Sequence, residues 1–264
     1  MSNRSRAKQV FVSLLLLALL GAAGRLPQLA LIPGGAYTPL YSVGEKRVTV
    51  ASFQLSTYPV TNAQYLDFVR SHPKWRRTGV KRVFAEADYL KHWTGDLTFD
   101  PKIADSPVVN VSWFAARAYC EAQGGRLPTQ DEWEFAARAS ENSIDATADK
   151  VFRQRILDWY SKPNPKSHPS VGSTFKNVYG VHDMHGLVWE WVDDFNSILL
   201  TGESRGDNSL DRNLYCAAGV SGSADPGDYA AYMRYAFRSS LKSNYVLGNL
   251  GFRCAADPPK RKKS

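Results

Sequence analysis

The apolar positions of this chain divide it into segments of different kinds. An unbroken apolar run from Val10 to Leu20 follows a basic start and leads into small residues up to Gly24. Residues 31–37 and 46–55 read as short strands separated by glycine-rich turns. Tyr65, Leu66, Phe68 and Val69 then recur at helical spacing behind Thr61 and Gln64, a capping-box pair, and the stripe stops before Pro73. A second helix is predicted from about Ser112, with Trp113, Ala116 and Cys120 on an inward face and an end at Gly124-Gly125. Thr129 and Glu132 cap a third, running to about Arg138. Beyond it the pattern predicts mainly irregular chain and short strands, with no strong helical period after about Tyr160. In one of these strands, alternation from Leu187 puts Val188, Glu190 and Val192 on one face and Trp189 and Trp191 on the other. The order of elements predicts an α+β fold rich in loop.

With 264 residues, of which 44% are hydrophobic, the chain can bury a sizeable core as one large domain. Residues 1–24 read as a secretory signal peptide: Arg4, Arg6 and Lys8, the short apolar run, and a cleavage site near Ala23 or Gly24. That run is shorter than the roughly 20 residues needed to cross a bilayer, so no membrane span is expected after cleavage. The mature domain is then residues 25–256, in the periplasm or outside the cell, and residues 257–264 form a basic disordered tail. Removing the three leader cations and Lys260, Arg261, Lys262 and Lys263 reduces the formal +8 to about +1. Such a body lacks the clustered basic face a nucleic acid requires. Lys74-Trp-Arg-Arg77 with Arg117 reads as a solvated loop rather than a functional patch.

Three cysteines, Cys120, Cys216 and Cys254, imply one bridge and one remaining thiol in an exported protein. Glu190, aimed inward, needs a partner: a calcium ion, backbone amides or an arginine. Asp183 stands nearby across a turn at Gly186. His182 and His185 flank Asp183 in a pattern reminiscent of a two-histidine, one-carboxylate iron site, but adjacent strand residues cannot all face one metal. His72, His92 and His168 lie in loops without ligand-like spacing and read as surface residues.

Four motifs, Pro59-Val-Thr-Asn62, Gly125-Arg-Leu-Pro-Thr-Gln-Asp-Glu-Trp-Glu134, Gly180-Val-His-Asp-Met-His-Gly-Leu-Val-Trp-Glu-Trp191 and Gly248-Asn-Leu-Gly-Phe-Arg-Cys254, occur in an order that resembles the formylglycine-generating enzyme family, the sulfatase-modifying factors. The resemblance implies that family's irregular variant of the C-type-lectin-like fold and a disulfide between Cys120 and Cys254. It also implies a structural calcium held by Asp183, the carbonyls of Gly186 and Val188, and Glu190. A second calcium site would fall between Leu157 and Asn177, where no matching asparagine-containing motif stands.

The family's chemistry is the oxidation by O₂ of a substrate cysteine to formylglycine, with Cu(I) held between two thiolates. Those two positions fall here on Asp225 and Ala230, and neither side chain replaces a thiolate. Copper or iron is therefore unsupported by the ligands present. Cys216 remains as an inert thiol, a reactive thiol or a displaced metal ligand, and is the one candidate catalytic residue. Tyr229, Tyr232, Arg234, Tyr235 and Arg238 could line a recognition groove, although half of them could equally pack the core.

Within the family, residues 73–77, 182–191 and 232–241 look most like NirV-type proteins, which accompany copper nitrite reductase. The expectation is an exported accessory or maturation factor that binds a protein or peptide, such as a periplasmic copper enzyme. Its rivals are an O₂-dependent metal oxidase acting on a protein side chain and a calcium-dependent ligand-binding module.

Overall fold

A computed structural model describes residues 28–40, 47–196 and 226–258, the side chains of 226–228 excepted. The expected signal peptide, the basic tail from 259 onward, Cys216 and Asp225 lie outside the described residues. Among the described residues there are seven short strands: β1 (Leu29–Ile32), β2 (Gly35–Tyr37), β3 (Val48–Val50), β4 (Phe53–Ser56), β5 (Trp189–Trp191), β6 (Leu250–Phe252) and β7 (Ala255–Ala256). Five α-helices accompany them: α1 (Asn62–Ser71), α2 (Trp113–Ala122), α3 (Gln130–Ala137), α4 (Lys150–Tyr160) and α5 (Pro226–Ser239).

The helix starts follow from local chemistry. Thr61 accepts from the Gln64 amide while the Gln64 side chain accepts from the Thr61 amide, and Thr129 and Glu132 repeat this reciprocal arrangement at α3. Ser112 caps α2 by accepting from the Ala115 amide. Two helices are missing from the sequence-based expectation. Helix α4 starts behind Asp149, whose carboxylate accepts from the Val151 and Phe152 amides; it buries only Phe152 and Ile156. Helix α5 buries Ala230, Arg234, Tyr235 and Arg238, so its inward face is largely charged and gives no apolar period.

Strand β4 lies between β1 and β7, antiparallel to both; β2 pairs antiparallel with β3, and β5 runs parallel to β6. The turn between β1 and β2 needs glycine at position 34, where φ is +77° and a Cβ would lie 2.5 Å from the Val50 carbonyl oxygen. Strand β6 passes close to the chain at Val108, and a Cβ on Gly251 would meet the Val108 carbonyl oxygen at 2.8 Å.

One core cluster joins the three sheets to α1, α2 and α3, with Tyr65, Tyr119, Trp191 and Phe252 at most 2% exposed. Cys120 in α2 is bridged to Cys254, with a Cα–Cα distance of 5.5 Å, tying the chain end to a residue 134 positions earlier. Pro59-Val-Thr-Asn62 lies beside the similar segment Pro107-Val-Val-Asn110: Val108 N donates to Val60 O at 2.8 Å, and the Asn62 side-chain amide donates to the Ile103 and Ser106 carbonyls at 3.0 Å. Among the described residues no helix is long and apolar enough to cross a membrane.

Candidate functional site

The motif strand β5 is placed by a buried ionic network. Glu190 accepts from Arg253 through Nε at 2.8 Å and Nη2 at 2.7 Å, and from the Trp133 indole at 2.7 Å. Arg253 also donates to the carbonyls of Ser56 and His182, so its guanidinium bridges β4, the loop before β5 and β5 itself. Both carboxylate oxygens of Glu190 thus already have cationic or indole donors. The inward direction of Glu190 agrees with the alternation, and its partner is the arginine.

Asp183, with φ of +58°, is also fully enclosed. Its carboxylate accepts from the amides of Gly172 and Thr174 and from the Thr174 hydroxyl. Asp183 and Glu190 therefore hold separate sets of donors. Arranged in this way, the set Asp183, Gly186, Val188 and Glu190 does not fit a calcium ion: a divalent cation gathers carboxylate oxygens, and these already face hydrogen-bond donors and a guanidinium. Asn177 likewise holds its side chain inward, donating to the Ala136 carbonyl and accepting from the Tyr179 and Val181 amides. Among the described residues no group of three His, Cys, Asp or Glu side chains is disposed to hold a metal.

A second buried cluster corrects the expected groove. Glu134 in α3 accepts from Arg234 Nη2 at 2.7 Å and Arg238 Nη1 at 2.8 Å, and Arg238 lies over the Trp133 ring at 4.3 Å. Arg238 is 2% exposed, so it is part of the core rather than of a recognition surface. Arg234 and Tyr235 are nearly buried and reach only the floor of a recess of about 300 Å³ shared with Tyr37 and Arg138. Of the five, Tyr229 is exposed and Tyr232 half-buried, their rings stacked at 6.4 Å. Burial alone would raise the Glu134 carboxyl, but the two guanidinium groups outweigh it and hold the group below its ordinary value. Ala230, where the resemblance places a copper thiolate, joins the apolar cluster of Phe152 and Ile156.

Beside α5 the structure forms an aromatic wall absent from the sequence-based site list. Tyr160 stacks on Trp189 at 5.0 Å, with 13° between the planes; Trp159 and Phe237 lie 5.4 and 4.5 Å from the same indole. Trp159, Tyr160 and Trp189 line a pocket of about 240 Å³ that continues past Pro163 and Asn164 to His168. Asn164, Pro165 and His168 also line an adjoining pocket of about 430 Å³ with His92, Asn110 and Asn249. Together the two form a cleft with an aromatic end and an end that holds His92 and His168.

The second end overturns the surface reading of these two histidines. His168 is 9% exposed and donates through Nε2 to the Gly248 carbonyl at 2.7 Å. Asn62 turns its amide nitrogen toward carbonyls, so its oxygen accepts from the Trp93 indole and from His92 Nε2 at 2.9 Å. Neither His92 Nδ1 nor His168 Nδ1 has a partner among the described residues. Burial, then the neighbouring His168 and Arg77, push His92 down to about 4.

His182 and His185 do not converge on Asp183. His182 stacks on Tyr58 at 4.7 Å, whereas His185 is buried against Trp133, Phe152 and Phe175 and donates to the Ala137 carbonyl. Burial, followed by Arg234, pushes His185 down to about 3. The aromatic wall could have been suspected from Trp159-Tyr160 had α4 been recognised, because only the helix turns both residues toward β5.

Residues 19–258 match the family model described as the sulfatase-modifying factor enzyme 1-like domain. An inactive Cα-formylglycine-generating enzyme 2 of Bos taurus is 29% identical over 88% of this chain and 89% of its own length. A formylglycine-generating enzyme of Streptomyces coelicolor is 30% identical, over 85% of this chain and 83% of its own length. The serine/threonine-protein kinase pkn1 of Chlamydia pneumoniae is 28% identical over 64% of this chain, a match spanning only 28% of that relative.

Proposed function

The chain belongs to the sulfatase-modifying factor family, and from that premise we propose that it acts by binding, as an exported accessory or maturation factor for a redox enzyme such as copper nitrite reductase. The observation that carries this reading is Ala230. At a position where the resemblance requires a copper thiolate, a methyl group packs with Phe152 and Ile156, and a thiolate's soft donor pair has no substitute there. The other expected thiolate position is Asp225. The relative of similar length whose name marks it as inactive supports a family role without the oxidation chemistry.

The surface proposed for the partner is the cleft between α4, β5 and residues 163–168. Trp159, Tyr160 and Trp189 offer rigid amphipathic area for a polypeptide, and the adjoining pocket adds the side-chain amides of Asn164 and Asn249. Its Arg234 and Arg238 contribute indirectly, by fixing α5 against α3 through Glu134.

The test is co-expression of the full chain with copper nitrite reductase in a periplasm lacking an endogenous copy, scoring the active reductase recovered. Trp159→Ala is expected to lower that yield at least fivefold while Cys216→Ala leaves it unchanged. Equal yields with and without the chain would overturn the reading. A loss confined to Cys216→Ala would favour the O₂-dependent oxidase instead.

A further inference from the structure

Residues 74–82 carry five cations in nine positions: Lys74, Arg76, Arg77, Lys81 and Arg82. The fold does not leave this segment as an open solvated loop. It forms one wall of a groove of about 590 Å³ whose opposite wall is α2, and none of the residues lining it lines the aromatic cleft.

Along the groove runs an unbroken aromatic row. Trp75 and Phe84 are 6.0 Å apart, Phe84 and Phe114 5.4 Å, and Phe114 and Trp113 5.4 Å. Phe84 is 40% exposed and its neighbour Val83 67%, placing two of the exposed large hydrophobic side chains beside one recess. Trp75 is almost enclosed, and its indole N–H has no acceptor among the described residues.

The charge around the row is one-sided. Arg117 is matched by Glu121 at 2.8 Å. Lys74 and Lys81 are exposed at the rim, and among the described residues neither has a carboxylate within ion-pair distance; Lys74 lies over the Trp75 ring at 5.6 Å. The groove therefore complements a ligand that is apolar at its centre and acidic at its edges.

We propose that this groove is a docking site for an acidic polypeptide segment bearing aromatic or branched apolar side chains. A polypeptide fits better than a lipid surface because the aromatic row lies in a recess between two walls, where a flat bilayer does not reach. The site is independent of the cleft assigned above, so the two readings can fail separately.

The probe is a fluorescein-labelled dodecapeptide alternating glutamate with phenylalanine and leucine, titrated with the full chain and followed by anisotropy. Parallel titrations use the same peptide with glutamine for glutamate, and vesicles rich in phosphatidylglycerol. The wild-type chain is expected to bind the acidic peptide at least tenfold more tightly than the glutamine version, and raising salt from about 50 to about 500 mM should erase most of that difference. The double variant Lys74→Glu with Lys81→Glu and, separately, Phe84→Ser should each weaken binding at least tenfold. All three positions are exposed, so thermal unfolding at the wild-type temperature verifies the fold. Equal binding by wild type and both variants, or binding to vesicles without binding to peptide, would overturn the proposal.

Discussion

Arg253 and Glu190 form a fully buried, two-point ion pair, with Nη2 2.7 Å and Nε 2.8 Å from the two carboxylate oxygens and both side chains at 0% exposure. The pair locks β5 to the turn after β6, and the Trp133 indole completes the carboxylate's shell. Removing one partner leaves the other charge buried and unmatched, which costs about 3–5 kcal/mol. Arg253→Met is thus expected to lower the unfolding free energy by about that much in urea titration. A change below about 1 kcal/mol would show that the pair does not hold this part of the fold.

The same geometry bears on calcium. Since Asp183 and Glu190 accept from amides, a hydroxyl, an indole and a guanidinium, chelation is expected to leave the melting temperature unchanged to within about 1 °C. Differential scanning calorimetry with and without EDTA measures this; a fall of about 5 °C or more on chelation would contradict the arrangement at these two carboxylates.

Acid should destabilise the chain in two stages. His185 and His92 are held neutral, at about 3 and about 4, below the 6.5 of an unfolded histidine. The unfolded state therefore binds more protons below pH 6.5, so their stabilising effect is complete above 6.5 and is lost as pH falls toward their folded values. Glu134, also held low, contributes stability above its ordinary value of 4.5 that is lost as pH falls through its lower folded value. Unfolding free energy should thus begin to fall below about pH 6.5 and fall faster below about 4.5. In His185→Gln the first stage should shrink; an unchanged profile would show that His185 is not the titrating group.

Joining Cys120 to Cys254 closes 134 residues of chain. Loss of such a bridge costs about 2–5 kcal/mol, chiefly by freeing the unfolded state. Cys120→Ser with Cys254→Ser should show this deficit in denaturant titration, and dithiothreitol should produce a comparable deficit in the wild type. A double variant as stable as the wild type would contradict a bridge at these positions.

Much of the architecture was legible because its signals are local. Thr61 with Gln64 and Thr129 with Glu132 name their own capping partners within three residues, and both boxes form. The period-two alternation around Glu190 gave its inward direction. Its partner was not legible, because Arg253 lies 63 residues away and is chosen by packing. Helix α5 escaped notice for a physical reason: Ala230, Arg234 and Arg238 recur every four residues, but the arginines on that inward face satisfy Glu134 rather than bury hydrocarbon. Without α4 and α5, the aromatic wall at Trp189 had no elements to build it.

Metal content separates the proposed binding role from oxidation at a two-thiolate copper site. Mature protein would be purified from a periplasmic extract without chelators and measured by inductively coupled plasma mass spectrometry, in wild type and in Cys216→Ala. The binding role requires neither copper nor iron in stoichiometric amount, in the wild type or in the variant. A full equivalent of copper or iron per chain, lost in Cys216→Ala, would contradict it and make Cys216 the centre of an oxidase.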